Sequence, residues 1–184
     1  MSIKPLIVLT ALVAIVSSAC AQSSSGTGIG VSVGVFEPSS GQLRADLGNQ
    51  GLQFGLGGAS TGRPSDGSIT PEYGVIIDNG NGNKLFILPF TYGYEYHFGS
   101  SSTSKILPYV RPFAGVAYYD YSILDFASGQ YSSAKQIGAT YGLEGGLMIG
   151  KKLKISAAYN YFTPAGGFNF NGLTLSASYS LFNL

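Results

Sequence analysis

Along most of the chain, large apolar side chains alternate with small or polar ones at a period of two. That is the geometry of strands whose two faces meet different surroundings. In residues 28–35, Ile29, Val31, Val33 and Val35 interleave with Gly28, Gly30, Ser32 and Gly34. The pattern recurs at Leu52, Phe54 and Leu56, and at Tyr73, Val75 and Ile77. It is clearest at Phe86, Leu88, Phe90, Tyr92, Tyr94, Tyr96 and Phe98, with Thr91, Gly93, Glu95 and His97 between the last five. A fifth segment sets Val110, Ala114, Val116 and Tyr118 against Arg111, Gly115 and Ala117. A sixth sets Ile137, Ala139, Tyr141, Leu143, Leu147 and Ile149 against Gln136, Gly138, Thr140, Gly142, Glu144 and Gly146. The seventh carries Leu153, Ile155, Ala157, Tyr159 and Tyr161, and the last Leu173, Leu175, Ala177, Tyr179 and Leu181. Eight strands are thus predicted, an even number.

The second face decides which side meets what. A soluble barrel turns its apolar set inward and covers its outside with charge. Here the second face is mostly Gly, Ser, Thr and Ala, which suits the narrow interior of an eight-stranded barrel. The apolar and aromatic face is then the one that meets lipid, and closure pairs every strand, as a bilayer demands. The fold class expected is all-β, a closed antiparallel up-and-down transmembrane β-barrel of eight strands. Gly150-Lys151-Lys152 reads as a tight periplasmic turn, and the polar segment 125–133 as an external loop. Asp78-Asn79-Gly80-Asn81-Gly82-Asn83 is turn chemistry. The parity of eight strands makes this short turn external and the longer connection 61–70 periplasmic, the reverse of the usual lengths. Pro89, Pro108 and Pro112 each remove a ladder donor; the first two fit strand beginnings, and Pro112 a bulge.

Ahead of this pattern, one cation, Lys4, precedes an apolar run at residues 6–16 and a small-residue stretch at 17–21. The run is too short to span a bilayer as a helix and reads as an export signal. Ala19-Cys20-Ala21 fits an A-x-A site, so residues 1–21 form the signal peptide and residues 22–184 the barrel domain, with cleavage before Gln22 discarding the only cysteine. The alternative is a lipoprotein acylated at Cys20, although Ser17 stands where the lipobox favours a Leu-like residue. Only 10% of the chain is charged, against about 25% in soluble domains, too little to solvate an ordinary surface. A net charge of +1 offers nucleic acid no electrostatic reason to bind.

Two stretches carry a family likeness. Leu88-Pro89-Phe90-Thr91-Tyr92-Gly93-Tyr94-Glu95-Tyr96-His97-Phe98, followed by Pro108-Tyr109-Val110-Arg111-Pro112-Phe113-Ala114-Gly115-Val116-Ala117-Tyr118-Tyr119, resembles small outer-membrane barrel proteins of the OmpW, OmpA-barrel and OmpX type. The last strand, residues 173–182, looks like the signal such proteins present to the barrel-assembly machinery, although the chain ends Phe182-Asn183-Leu184 rather than on the aromatic. The resemblance implies the outer membrane and its lipid as surroundings. It further implies either a surface role or, as in OmpW-type proteins, passage of a small apolar permeant.

Candidate chemistry is sparse. If the loop after the fifth strand is centred between residues 127 and 128, Arg111 pairs across from Glu144, and a turn centred near 103 brings Glu95 beside Arg111. A lumenal cluster of Glu95, Arg111 and Glu144 is therefore expected. Its plain reading is mutual neutralisation inside a filled barrel, its functional reading a polar constriction. His97, the only histidine, is expected to face inward near the periplasmic end. Lipid A palmitoyltransferases and deacylases of this architecture use histidine near the external rim, which sets His97 against an enzymatic role. No paired histidines, cysteines or clustered carboxylates suggest a metal, and no cofactor is implied. Gly26-Thr27-Gly28-Ile29-Gly30 leads into no helix and so is not a phosphate loop. Aromatic groups at the two ends, Tyr94, Tyr96, Phe98, Tyr179 and Phe182 at one and Tyr118, Tyr119, Tyr121, Tyr159, Tyr161 and Phe162 at the other, are read as interfacial girdles. The expected function is a non-enzymatic structural or surface-interaction barrel whose segments 37–50 and 121–135 meet an external partner. Alternatives are a narrow porin-like channel and, behind it, a lipid-modifying enzyme.

Overall fold

The computed structural model describes residues 27–60, 68–99, 105–125, 129–150 and 152–182. The signal segment 1–21, its two processing alternatives and the chain end beyond residue 182 lie outside them. The strands are β1 (Thr27–Pro38), β2 (Gly51–Ser60), β3 (Ser68–Gly80), β4 (Asn83–His97), β5 (Ile106–Asp125), β6 (Gln130–Ile149), β7 (Leu153–Phe162) and β8 (Gly172–Phe182). Each pairs antiparallel with the next, and β1 pairs with β8 to close the barrel. One short helix, α1 (Gly41–Leu47), lies between β1 and β2. Among the described residues no helix is long and apolar enough to cross a membrane. The end that carries α1 and the β3–β4, β5–β6 and β7–β8 connections is the upper end here; the end near both termini is the lower.

Side-chain direction follows the alternation. Val33, Leu52, Phe54, Tyr92, Tyr94, Val116, Tyr141, Leu143, Ile155 and Leu175 all point outward and stay exposed, a continuous apolar belt of the kind that faces hydrocarbon. The β3–β4 connection is a two-residue hairpin with positive φ at Asn81 (52°) and Gly82 (81°), the Asn-Gly chemistry that matches strand twist. Pro112 sits in no bulge. The β4–β5 register is the same on both sides of it, running from Gly93↔Phe113 to Tyr96↔Val110. Its missing donor coincides with a short gap in that ladder, while on its other side Pro112 pairs regularly with Leu143.

The interior departs from the expectation of a mostly small lining. In the upper half, inward positions carry Phe36, Ile76, Leu85, Ile87, Tyr119, Tyr121 and Ile123, all nearly inaccessible. Leu43 and Leu47 of α1 descend onto them from one side, and Phe168 and Phe170 of the β7–β8 connection from the other. Tyr121 lies between Phe168 and Phe170, with ring centroids at 5.9 and 5.3 Å, and Tyr119 packs on Phe162 and Phe170. Tyr119, Tyr121 and Phe162 are therefore plug residues rather than girdle residues. Each sits at odd parity on β5 or even parity on β7, which turns it into the lumen.

Segment 37–50, read from sequence as a loop, contains α1. Ser40 caps it by accepting from the Leu43 N–H. Asn81 Nδ2 donates to the Ala45 carbonyl at 3.0 Å, and Asn83 Nδ2 to the Asp46 carbonyl at 2.7 Å, so that the β3–β4 hairpin holds the helix end. Gly80 permits the approach, because a Cβ there would collide with the Leu47 carbonyl oxygen.

Candidate functional site

Below the plug the lumen turns polar. Arg111 projects from β5 and is 4% exposed. Its Nη1 lies 2.6 Å from Glu72 Oε2 on β3 and 3.1 Å from Glu144 Oε2 on β6. Its Nε donates to Thr70 Oγ1 at 3.2 Å. Gly93 on β4 leaves the path for this side chain, since a Cβ at that position would meet the guanidinium. Tyr109, one inward position below Arg111, donates its hydroxyl to Glu144 Oε1 at 2.5 Å. Both oxygens of Glu144 are thereby engaged, one by a cation and one by a phenol.

A second group lies nearer the lower end. Glu95 on β4 is 2% exposed and receives Lys154 Nζ from β7 at 2.7 and 2.6 Å on its two oxygens. His97 Nε2 is 2.7 Å from Glu95 Oε1. Lys154 also sits over the Tyr109 ring, 5.1 Å from its centroid, so Tyr109 touches both groups. Three carboxylates thus face Arg111 and Lys154, with His97 beside them. Buried ions of this kind persist only when paired and hydrogen-bonded.

Of the residues singled out from sequence, the structure places all three inside. Arg111 and Glu144 are directly paired across β5 and β6; Glu95 falls opposite Arg111 in the β4–β5 register, as a turn centred near 103 requires, but its oxygens engage Lys154 and His97 instead. Glu72, Lys154, Thr70 and Tyr109 were not anticipated. Tyr109 shares the inward parity of Arg111 and was legible. Lys154 meets Glu95 across the lumen, where no ladder register reaches.

Between these groups and the walls of β1, β2 and β8 lies a cavity of about 60 Å³, lined by Gly30, Ser32, Gly57, Ser178 and Ser180 opposite Glu95, Arg111 and Glu144. A second, of about 40 Å³, lies on the other side of Arg111 beneath the plug, against Phe113, Thr91 and Asn160. Each has room for a few water molecules at most. Among the described residues no three of His, Cys, Asp and Glu converge as metal ligands would.

A closed eight-stranded barrel with an apolar belt outside and a filled lumen inside is the class of protein these features define. The chain belongs to the outer membrane protein beta-barrel domain family, whose model matches residues 7–180. Among solved structures it is similar to Neisserial surface protein A, at 13% identity and a TM-score of 0.59 over 84% of this chain and 97% of that one. It is also similar to the outer membrane enzyme PagL, at 16% identity and 0.52 over 82% and 97%. The Yersinia pestis outer membrane protein Ail is alike at 15% identity and 0.51 over 84% and 99%. These are likenesses of fold, and they join enzymatic and other barrels. No curated protein matches the chain by sequence. Family and fold place the protein in an outer membrane.

Proposed function

We propose that this protein is a closed, non-enzymatic surface barrel, exported behind a signal peptide cleaved before Gln22 and set with its upper end outward. In this reading it acts through what that end presents rather than through what its lumen passes. The observation that carries the reading is the plug. Phe36, Ile76, Ile87, Tyr119, Tyr121 and Phe170 fill the upper half of the lumen with accessibilities of 2% or less. A permeant would have to displace all of them, each worth about 1.5–3 kcal/mol of burial, and then part Arg111 from two carboxylates.

His97 supports the absence of lipid chemistry. It lies in the lower half, 4% exposed and against Glu95, where a substrate entering from the upper rim cannot reach it. The surroundings proposed are outer-membrane lipid, the barrel-assembly machinery during insertion, and an external partner.

Planar-bilayer recording of the refolded protein tests the proposal. The expected record is flat. Discrete conductance that changes with Glu144→Gln would overturn it in favour of a narrow channel.

A further inference from the structure

One of the two bonds that hold α1 on the barrel ends on a chemically labile side chain. The last carbonyls of any helix need partners from outside it. Here Asn81 Nδ2 donates to the Ala45 carbonyl and Asn83 Nδ2 to the Asp46 carbonyl. Asn81 is followed by Gly82. An Asn-Gly pair readily loses the side-chain amide, because a glycine nitrogen has no neighbouring Cβ to hinder its attack on the preceding carboxamide.

The chain holds three such pairs, at 79–80, 81–82 and 171–172, and the fold treats them differently. The Gly80 N–H is committed to the Gly80↔Asn83 pair that closes the two-residue hairpin. Gly172 is buried between β1 and β7, where a Cβ would meet the Glu37 carbonyl oxygen and the Phe36 ring. Asn171 is tied as well, its Oδ1 accepting from the Phe162 N–H at 2.7 Å. Gly82 is exposed, and among the described residues its N–H meets no acceptor. A Cβ at Gly82 would find only the Tyr131 hydroxyl, at 3.5 Å. Of the three nitrogens, that of Gly82 is the one left free to attack.

Asn81 stands at a φ of 52°, the one non-glycine residue at positive φ among the described residues. Asparagine and aspartate both tolerate that region, so the hairpin itself does not oppose conversion of one into the other. What opposes it is α1. The bond to the Ala45 carbonyl keeps the leaving nitrogen on the helix, whereas reaction requires the carboxamide carbon to swing onto the Gly82 nitrogen. The reactive moments are those in which α1 lifts, a local opening that costs far less than unfolding the barrel.

We propose that Asn81 is a self-modifying site that turns a transient lifting of α1 into its permanent release. The Gly82 nitrogen attacks Asn81 Cγ, the Cγ–Nδ2 bond breaks, and Nδ2 leaves as ammonia with the proton of the Gly82 amide. Water then opens the cyclic imide at either carbonyl and leaves an aspartate or an isoaspartate. Overall a water is consumed and an ammonia released, with no oxidant or reductant. The new carboxylate cannot donate to the Ala45 carbonyl, and it sets a negative charge against the negative end of the helix. Asn83 then holds the helix end alone, and Leu43 and Leu47 are no longer kept on the plug. None of these steps depends on which end of the barrel faces outward.

The folded full chain in lipid nanodiscs, aged in mildly alkaline buffer and digested at intervals for mass spectrometry, tests this. Asn81 should convert ahead of Asn79 and Asn171, and should yield isoaspartate as well as aspartate, the mark of the imide. Earlier conversion of either other asparagine, aspartate alone, or no conversion while a free peptide of residues 76–86 converts in the same buffer would each overturn the proposal. In Gly80→Ala, where α1 cannot seat, Asn81 should convert at least about tenfold faster than in the parent. An unchanged rate would show that the helix does not gate the reaction. Asn81→Asp reproduces one product, so its residues 38–50 should be cut by added protease several-fold faster than in the parent, with the heat-dependent gel shift kept. Equal cutting would overturn the release step. Brief proteolysis of the aged parent asks the same question without a variant: chains cut within 38–50 should be enriched several-fold in converted Asn81, and equal conversion in cut and uncut chains would overturn the proposal.

Discussion

Arg111 shows how one residue can hold a barrel interior together. It satisfies Glu72, Glu144 and Thr70 from a single guanidinium, so Arg111→Ala leaves two carboxylates facing each other with no cation between them. Breaking a buried pair from one side costs about 3–5 kcal/mol, and the urea unfolding midpoint in micelles should fall accordingly; an unchanged midpoint would count against the network. Arg111→Lys should recover only part of the loss, since one ammonium cannot span both carboxylates as the planar fork does. The lower group offers a second test. Lys154→Met alone strips Glu95 of its nearest cation, whereas Lys154→Met with Glu95→Gln removes charge from both sides. The double variant should be more stable than the single one, and additive losses in the cycle would show that the two side chains do not couple. Half of this arrangement was legible from sequence. Arg111 and Glu144 follow from counting about a hairpin centre, because ladder partners sum to a constant. The contact of Glu95 with Lys154 does not follow, since it crosses the lumen between strands that are not neighbours, and the contact of Arg111 with Glu72 likewise joins β5 to β3 past the intervening β4.

Strands were easier to read than what fills them. Their period of two survives every glycine and proline because lipid outside and a narrow lumen inside act on alternate residues along the whole length. The helix α1 escaped notice because seven residues with only Leu43 and Leu47 at helical spacing give no resolvable 3.6-residue period. The plug escaped for a different reason. Tyr118 and Tyr119 are adjacent, as are Tyr161 and Phe162, and an aromatic pair at a strand end reads equally well as a girdle until parity assigns one member inward. The docking of α1 rests on the bare backbone of Gly80. In Gly80→Ala the added methyl would occupy the place of the Leu47 carbonyl oxygen, so the helix must lift off β3. Residues 38–50 should then be cut by added protease several-fold faster than in the parent, while the heat-dependent gel shift of the barrel is kept. Equal cutting rates would show that the helix docks without that contact.

At the scale of the whole molecule, the lumen is closed twice by different physics. The upper closure is an apolar plug assembled from β1, β3, β4, β5, β7, α1 and the β7–β8 connection, and it depends on excluding water from aromatic and aliphatic surface. The lower closure is ionic, and it depends on Arg111 bridging β3 and β6 across the pore axis. Because these barriers lie in series, removing either should leave the barrel non-conducting. Phe168→Ser with Phe170→Ser withdraws the aromatic pair that the β7–β8 connection inserts beside Tyr121, yet a permeating ion would still meet the guanidinium between its carboxylates. Arg111→Ala opens the lower level, yet the path still ends beneath Tyr119 and Ile87. Only the combination of all three substitutions should give discrete conductance in planar bilayers, with a selectivity for cations set by Glu72, Glu95 and Glu144. Conductance in the serine pair alone would show that the ionic level does not seal the lumen. A silent triple variant that still shifts on heating would show that the small side chains of β1, β2 and β8 close over the space, as a barrel this narrow permits.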